Sequence, residues 1–179
     1  MVQKIVDVKD PKLRQKSKRV AKVDKKILAI ARDLVDTLKV QKDPEGVGLA
    51  APQIGKNVRM FAMVFGHGIR VIVNPKILSL SQGPRKKGKA KKQKVILEGC
   101  LSLPNIYGPL KRPQHLKLTF MDLDGKTQTE VFEGFSAQIV QHEVDHLNGT
   151  LFFDQLLKDK TPLYKFNSKL DDWEEVELV

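Results

Sequence analysis

The residues able to do chemistry crowd into QHEVDH, residues 141–146. On a helix, His142 and His146 lie one turn apart on the same side, a spacing at which two imidazoles can grip one metal ion. Glu143 adjoins them without being a ligand by spacing, which suits a base acting on a metal-activated water. Asp145 reads as a solvated charge, with a supporting role behind a ligand as the alternative. Two imidazoles do not complete a site, so a third ligand must come from elsewhere. One protease class continues the motif with a glycine and a further histidine. Gly149 matches the glycine, but Phe152 stands where that histidine belongs, and no histidine follows His146. Another class uses a downstream glutamate, and here only Glu174, Glu175 and Glu177 are on offer, within the last six residues. Upstream, EGCLSLP carries Cys100, the sole thiol of the chain. Thiolate plus two imidazoles is a workable set for zinc or iron(II), leaving one position for water. A zinc endopeptidase and a basic nucleic-acid-binding module with a structural metal are the competing readings, although structural zinc usually takes four protein ligands.

The elements that must hold these residues are partly legible. Ser136 is positioned to cap a helix running to about Leu147, closed by Asn148-Gly149. On its wheel Ile139, Val140, Val144 and Leu147 face the core. The two histidines lie half-buried on the rim, while Gln138, Gln141, Asp145 and Asn148 look outward. Asp24 is the expected N-cap of an amphipathic helix to Val40, with Ile27, Ile30, Leu34 and Leu38 at helical spacing. GVGLAAPQIG, residues 46–55, reads as a loop or irregular extended segment. Residues 3–6 predict a short strand. Val58–Phe65 and Ile69–Val73 predict a hairpin punctuated by Asn74-Pro75. Val95–Leu97 and EGCLSLP read as extended to Pro104, His115–Leu123 and Thr127–Phe132 as paired strands, and Leu151–Phe153 as a short strand or turn. Helix, many strands, helix is an α+β order rather than alternating βαβ.

The chain has 179 residues, suited to one domain (1–179) with a motif-bearing core at about 5–156. No apolar run approaches the roughly 20 residues needed to span a bilayer, so no membrane association is expected. The start lacks a signal-like apolar segment, and a single cysteine suits a reducing compartment, so the expected home is the cytoplasm, with an organelle as the alternative. The formal charge is +11, and seven of the basic residues fall in RKKGKAKKQK, residues 85–94, inside a low-complexity loop at about 82–94. Such a field favours a polyanion, and a solvated loop is the plain alternative. The tail, residues 171–179, is acidic.

Together and in this order, GVGLAAPQIG, EGCLSLP and QHEVDH resemble the three signature motifs of the peptide deformylases, over about Ile5 to Leu156. That resemblance implies antiparallel sheets packed around a central C-terminal HExxH helix, with an amphipathic helix near the N-terminus. It implies an enzyme that removes the formyl group from formylmethionine at the start of newly made proteins. Cys100, His142 and His146 would hold one divalent ion, iron(II) in the cell, with zinc, nickel or cobalt able to replace it. Glu143 would take a proton from the activated water, and later deliver it to the departing amine. The Gln53 amide and the backbone N–H of Leu101 would meet the oxyanion. Gly48 would let the peptide approach as an added strand. Val47, Gly99 and Ile139 join Gly48 as substrate-binding positions. Glu98 and Arg112 stand where they could pair and brace the cysteine segment. Formylated nascent peptides are the implied partners, and residues 85–94 are a candidate contact for the ribosome or its RNA.

Overall fold

The computed structural model describes residues 1–82, 97–167 and 172–176. The central helix is buried because it lies between two antiparallel sheets. The first sheet has the order β1-β2-β3-β6-β7 and is built from Gly48–Ala50, Met60–Phe65, Gly68–Ser81, His115–Met121 and Thr127–Glu133. The second runs β4-β5-β8-β9 from Glu98–Cys100, Leu103–Gly108, Leu163–Asn167 and Asp172–Val176. The α-helices are α1 (Lys25–Lys39), α2 (Gly134–Leu147) and α3 (Phe152–Lys158).

Alternation along β2 explains the layering. Met60 and Ala62 point to one face and meet Ile27, Ile30 and Leu34 of α1. Phe61 and Met63 point to the other and meet Ile139, Val140 and Leu147 of α2. A strand covered on both faces has no polar alternation, which is why MFAMVF is apolar throughout. A third core gathers Leu13, Cys100, Phe152, Phe153, Leu156 and Leu163 beneath the second sheet. Complete burial of side chains such as Phe61 and Phe132 contributes roughly 1.5–3 kcal/mol each.

Helix α1 forms as expected, with the Asp24 carboxylate accepting from the Ile27 amide at 2.9 Å. Several other elements differ from the sequence reading. No strand forms at residues 3–6. GVGLAAPQIG becomes strand β1 followed by a 3₁₀ turn at Ala51–Ile54. Asn74-Pro75 does not end β3: Asn74 adopts φ 51° and the strand shifts register between Val73 and Lys76. The Asn74 side chain bonds both the N–H and the C=O of Val20, which anchors this bulge. Strand β5 runs past Pro104 to Gly108. Helix α2 starts at Gly134, where φ is +57°, rather than at Ser136. Leu151–Phe153 is not a strand but the entry to α3, where the Asp154 carboxylate accepts from the Leu151 amide at 2.8 Å. The basic stretch 85–94, most of the loop that contains it, and Val95 and Ile96 lie outside the described residues. Within the acidic tail, Asp172–Val176 forms a strand paired with β8. Among the described residues no helix is long and apolar enough to cross a membrane.

Candidate metal centre

Helix α2 carries its functional side chains deeper than its wheel implies. His142 is 8 % exposed and His146 is 1 % exposed, so neither stands on a rim. Gln138 and Gln141 are buried as well, because Glu98 of β4 and the segment at Arg112–Pro113 cover the side of α2 that a one-sided core would leave wet. Their amides find acceptors: Gln141 Nε2 donates to the carbonyls of Pro113 and Ala137, and Gln138 Nε2 reaches Glu98 Oε2 at 3.4 Å.

Strand β4 brings Cys100 against this helix. Cys100 Sγ lies 3.2 Å from His146 Nε2, which lies 3.2 Å from His142 Nε2. All three donor atoms fall within 4.8 Å of one another. A soft sulfur and two imidazole nitrogens converging on one point fit a divalent transition-metal ion. Burial disfavours a charged His142 ring, yet Cys100 and Glu98 outweigh it and push its pKa up. Burial pushes His146 well below the usual imidazole range, leaving a lone pair to donate.

His142 Nδ1 is held by Glu98 Oε1 at 2.7 Å, which directs Nε2 toward the other donors. Glu98 in turn takes two hydrogen bonds from Arg112, from Nε at 2.7 Å and Nη2 at 2.6 Å. Burial alone would raise the Glu98 carboxyl, but Arg112 and His142 overcome it and hold its pKa at about 2. The expected pair thus forms, and it braces the helix ligand as well as the cysteine strand. Asp145 is not a free surface charge, since it accepts from Arg112 Nη1 at 2.9 Å. Arg112→Ala should strand the Glu98 charge in the interior. The expected result is a 10–100-fold weaker hold on metal in a chelator competition, with a lowered Tm.

Glu143 is 2 % exposed, and its Oε2 has no hydrogen-bond partner among the described residues. Burial, the largest influence, pushes its pKa up to about 7. Gly48 packs directly on it, and a Cβ there would collide with Glu143 Oε1 and come within 3.0 Å of Ile139 Cγ2. Gly48→Ala should therefore displace this carboxylate, with kcat falling on the order of 10²-fold and metal content unchanged.

Gln53 is buried and doubly fixed. Its Oε1 accepts from the Ala50 amide at 2.8 Å, which turns Nε2 toward Cys100 Sγ at 3.4 Å and Ser102 Oγ at 3.3 Å. Val47, Gly48, Gln53, Gly99, Cys100, Leu101, Ile139, His142 and Glu143 all line one cleft of about 310 Å³. His146 sits behind them. The structure therefore brings together the candidate ligand, catalytic and substrate-binding residues named from the sequence, whereas the basic stretch 85–94 lies outside the described residues. It adds Tyr107, Phe135 and Gln138 as lining residues and Ser102 as the partner of Gln53. Ser102 could have been noticed, being a hydroxyl two residues past the candidate ligand thiol. The other three carry no local signal.

Comparison with known proteins agrees with this arrangement. The family model described as Polypeptide deformylase matches residues 2–162. The chain is 37 % identical over 159 residues to the peptide deformylase of Dictyoglomus thermophilum, covering 89 % of this chain and 95 % of that protein. Among solved structures, the peptide deformylase of Thermotoga maritima superimposes with a TM-score of 0.74 at 34 % identity, over 86 % of this chain and 97 % of that one. That of Ehrlichia chaffeensis gives a TM-score of 0.76 at 33 % identity, over 89 % and 90 %. With a family match across nearly its whole length and Cys100, His142 and His146 converging beside Glu143, the chain belongs to the polypeptide deformylase family.

Proposed function

We propose that this cleft hydrolyses the formyl amide of formylmethionine peptides, with Glu143 as the group that moves the proton. Removal of the N-formyl group from newly made peptides is the activity that membership of the family carries. The assignment of roles to residues is our own reading, and the single observation that carries it is the buried Glu143 Oε2, without a hydrogen-bond partner among the described residues, beside three converging donors.

Cys100, His142 and His146 would hold a divalent ion, which when bound supplies a Lewis acid for water and for the formyl oxygen. Iron(II) is the ion we expect in the cell, and zinc, nickel and cobalt suit the same donors. Glu143, with its pKa raised to about 7, can accept a proton from water at Oε2 and return it to the departing amine nitrogen. Gln53 Nε2, together with the Leu101 N–H, is the donor set for the oxyanion, and because Ala50 fixes the amide, little reorganisation is needed.

Substrate geometry follows from topology. Among the described residues β1 and β4 are the end strands of their two sheets, each hydrogen-bonded to a strand on one side only. Gly48 on β1 and Gly99 on β4 both line the cleft, so an extended peptide can pair as an added strand. Ile139 and Val47 offer apolar contact to the methionine side chain. Since both sheets supply walls to one site, we infer that residues 1–179 act as one catalytic domain, working in the cytoplasm. We also infer that the lysines of 85–94 contact ribosomal RNA. Neutralising them should weaken ribosome binding and flatten its salt dependence, and an unaltered salt slope disposes of that contact.

The deciding assay offers formyl-Met-Ala-Ser, acetyl-Met-Ala-Ser and an unblocked longer peptide to anaerobically prepared protein. Formate release from the first alone is the expected result. Internal cleavage of the third overturns the reading in favour of an endopeptidase.

A further inference from the structure

The family match ends at residue 162, and past it the chain adds the β8–β9 hairpin to the outer side of the four-stranded sheet. Register decides which side chains share a face. Tyr107 lies opposite Tyr164, Tyr164 opposite Glu175, and Phe166 opposite Trp173, so these five residues stand on one side. Leu163 and Val176, at alternate positions, pack into the third core on the other side. The aromatic face therefore points away from that core. Its rings are in contact, with Trp173 meeting Tyr107 edge-on at 5.3 Å between centroids and Phe166 at 4.9 Å. Trp173 nevertheless keeps 44 % of its surface exposed. At its other end the face runs into the catalytic cleft. Tyr107 lines that cleft, and its ring is what a Cβ on Gly99 would strike at 2.7 Å.

We propose that this face is an additional binding surface for the substrate's own chain, holding about the fourth to sixth residues of a formylated peptide once they leave the cleft past Tyr107. The inference rests on the deformylase reading and extends it to the downstream segment. Continuity identifies the occupant. A peptide paired between β1 and β4 with its formyl end at Cys100 advances about 3.3 Å per residue. Tyr107 stands on β5 opposite Gly99, and Trp173 on β9 touches its ring, so a chain that turns out of the β4 edge and crosses the sheet over Tyr107 reaches Trp173 within a few residues. Aromatic rings give such a chain apolar contact at little entropic cost, having few side-chain torsions. Glu175 lies on the same face, so a lysine in this part of the peptide is favoured over an aspartate.

Trp173 is the only tryptophan, so its emission reports this surface alone. Glu143→Gln protein, used to hold substrate uncleaved, is titrated with formyl-Met-Ala and with formyl-Met-Ala-Ser-Leu-Phe-Lys. The expected result is a change in emission with the hexapeptide and none with the dipeptide. In an otherwise wild-type protein, Trp173→Ala should shrink the hexapeptide-to-dipeptide ratio of kcat/KM by about three- to tenfold, and Trp173→Tyr should restore most of it. Unchanged emission at saturating hexapeptide, an equal change with the dipeptide, or an undiminished ratio in Trp173→Ala each overturns the proposal. Failure of the wild-type protein to release formate from formyl-Met-Ala would instead overturn the deformylase reading, so the two failures are separable.

Discussion

Glu143→Gln should lower kcat by about 10²–10⁴-fold while the purified protein keeps its metal. The substitution is nearly isosteric, so it leaves the packing of Gly48 and Ile139 on this side chain intact. What it removes is an oxygen able to accept a proton at neutral pH. In the wild-type chain that oxygen is conspicuous, since Oε2 is buried without a hydrogen-bond partner among the described residues. A buried carboxylate oxygen without a partner costs stability, and its persistence here is better explained by chemistry than by structure. Burial also places its pKa at about 7, where both proton acceptance and return are open to it. The check is steady-state formate release alongside metal analysis of the same preparation. Turnover within threefold of wild type would remove Glu143 from the mechanism, whatever its position.

How much of this was legible beforehand depended on the range over which each interaction acts. The His142–Glu143–His146 spacing is a property of one helix, and Asp24 capping Ile27 spans three residues, so both could be read from local pattern. Cys100 was reachable because it is the sole thiol. The bond from His142 to Glu98 crosses 44 residues, and its existence depends on how β4 lies against α2. The pairing of Glu98 with Arg112 could be anticipated, whereas its extension to His142 and Asp145 could not. The burial of Gln138 and Gln141 escapes the local pattern for a related reason. A helical wheel supposes one core and one wet side, and α2 lies between two sheets. Leu151–Phe153 was too short a run to show a period, and only with Leu156 does helical spacing emerge. The β8–β9 hairpin was hidden by charge: DWEEV reads as a solvated tail until pairing with LYKFN places Trp173 opposite Phe166.

Cys100→Ala should abolish stoichiometric metal, taking it from about one ion per chain to a small fraction of that, with activity lost in parallel. The sulfur comes from a strand and the two imidazoles from a helix, so Cys100 would supply the one donor that the helix cannot. Without it, His142 and His146 remain as an i,i+4 pair with two donors, too few for a closed or catalytic site of the usual kind. Disturbing groups that merely orient ligands commonly costs 10–100-fold in affinity, so losing a donor outright should exceed that. The fold should largely survive, since the removed atom leaves a small gap beside Leu151 and Phe152, in a core with several larger side chains. Elemental analysis of the two proteins, purified in parallel without oxygen, gives the metal content, and far-UV circular dichroism gives the fold. A cobalt-substituted wild-type protein adds an optical test, because a cobalt–thiolate bond has a charge-transfer absorption that an all-nitrogen site lacks. Full metal loading in Cys100→Ala, or a cobalt spectrum free of sulfur character, would remove Cys100 from the donor set and force a different account of what completes the histidine pair.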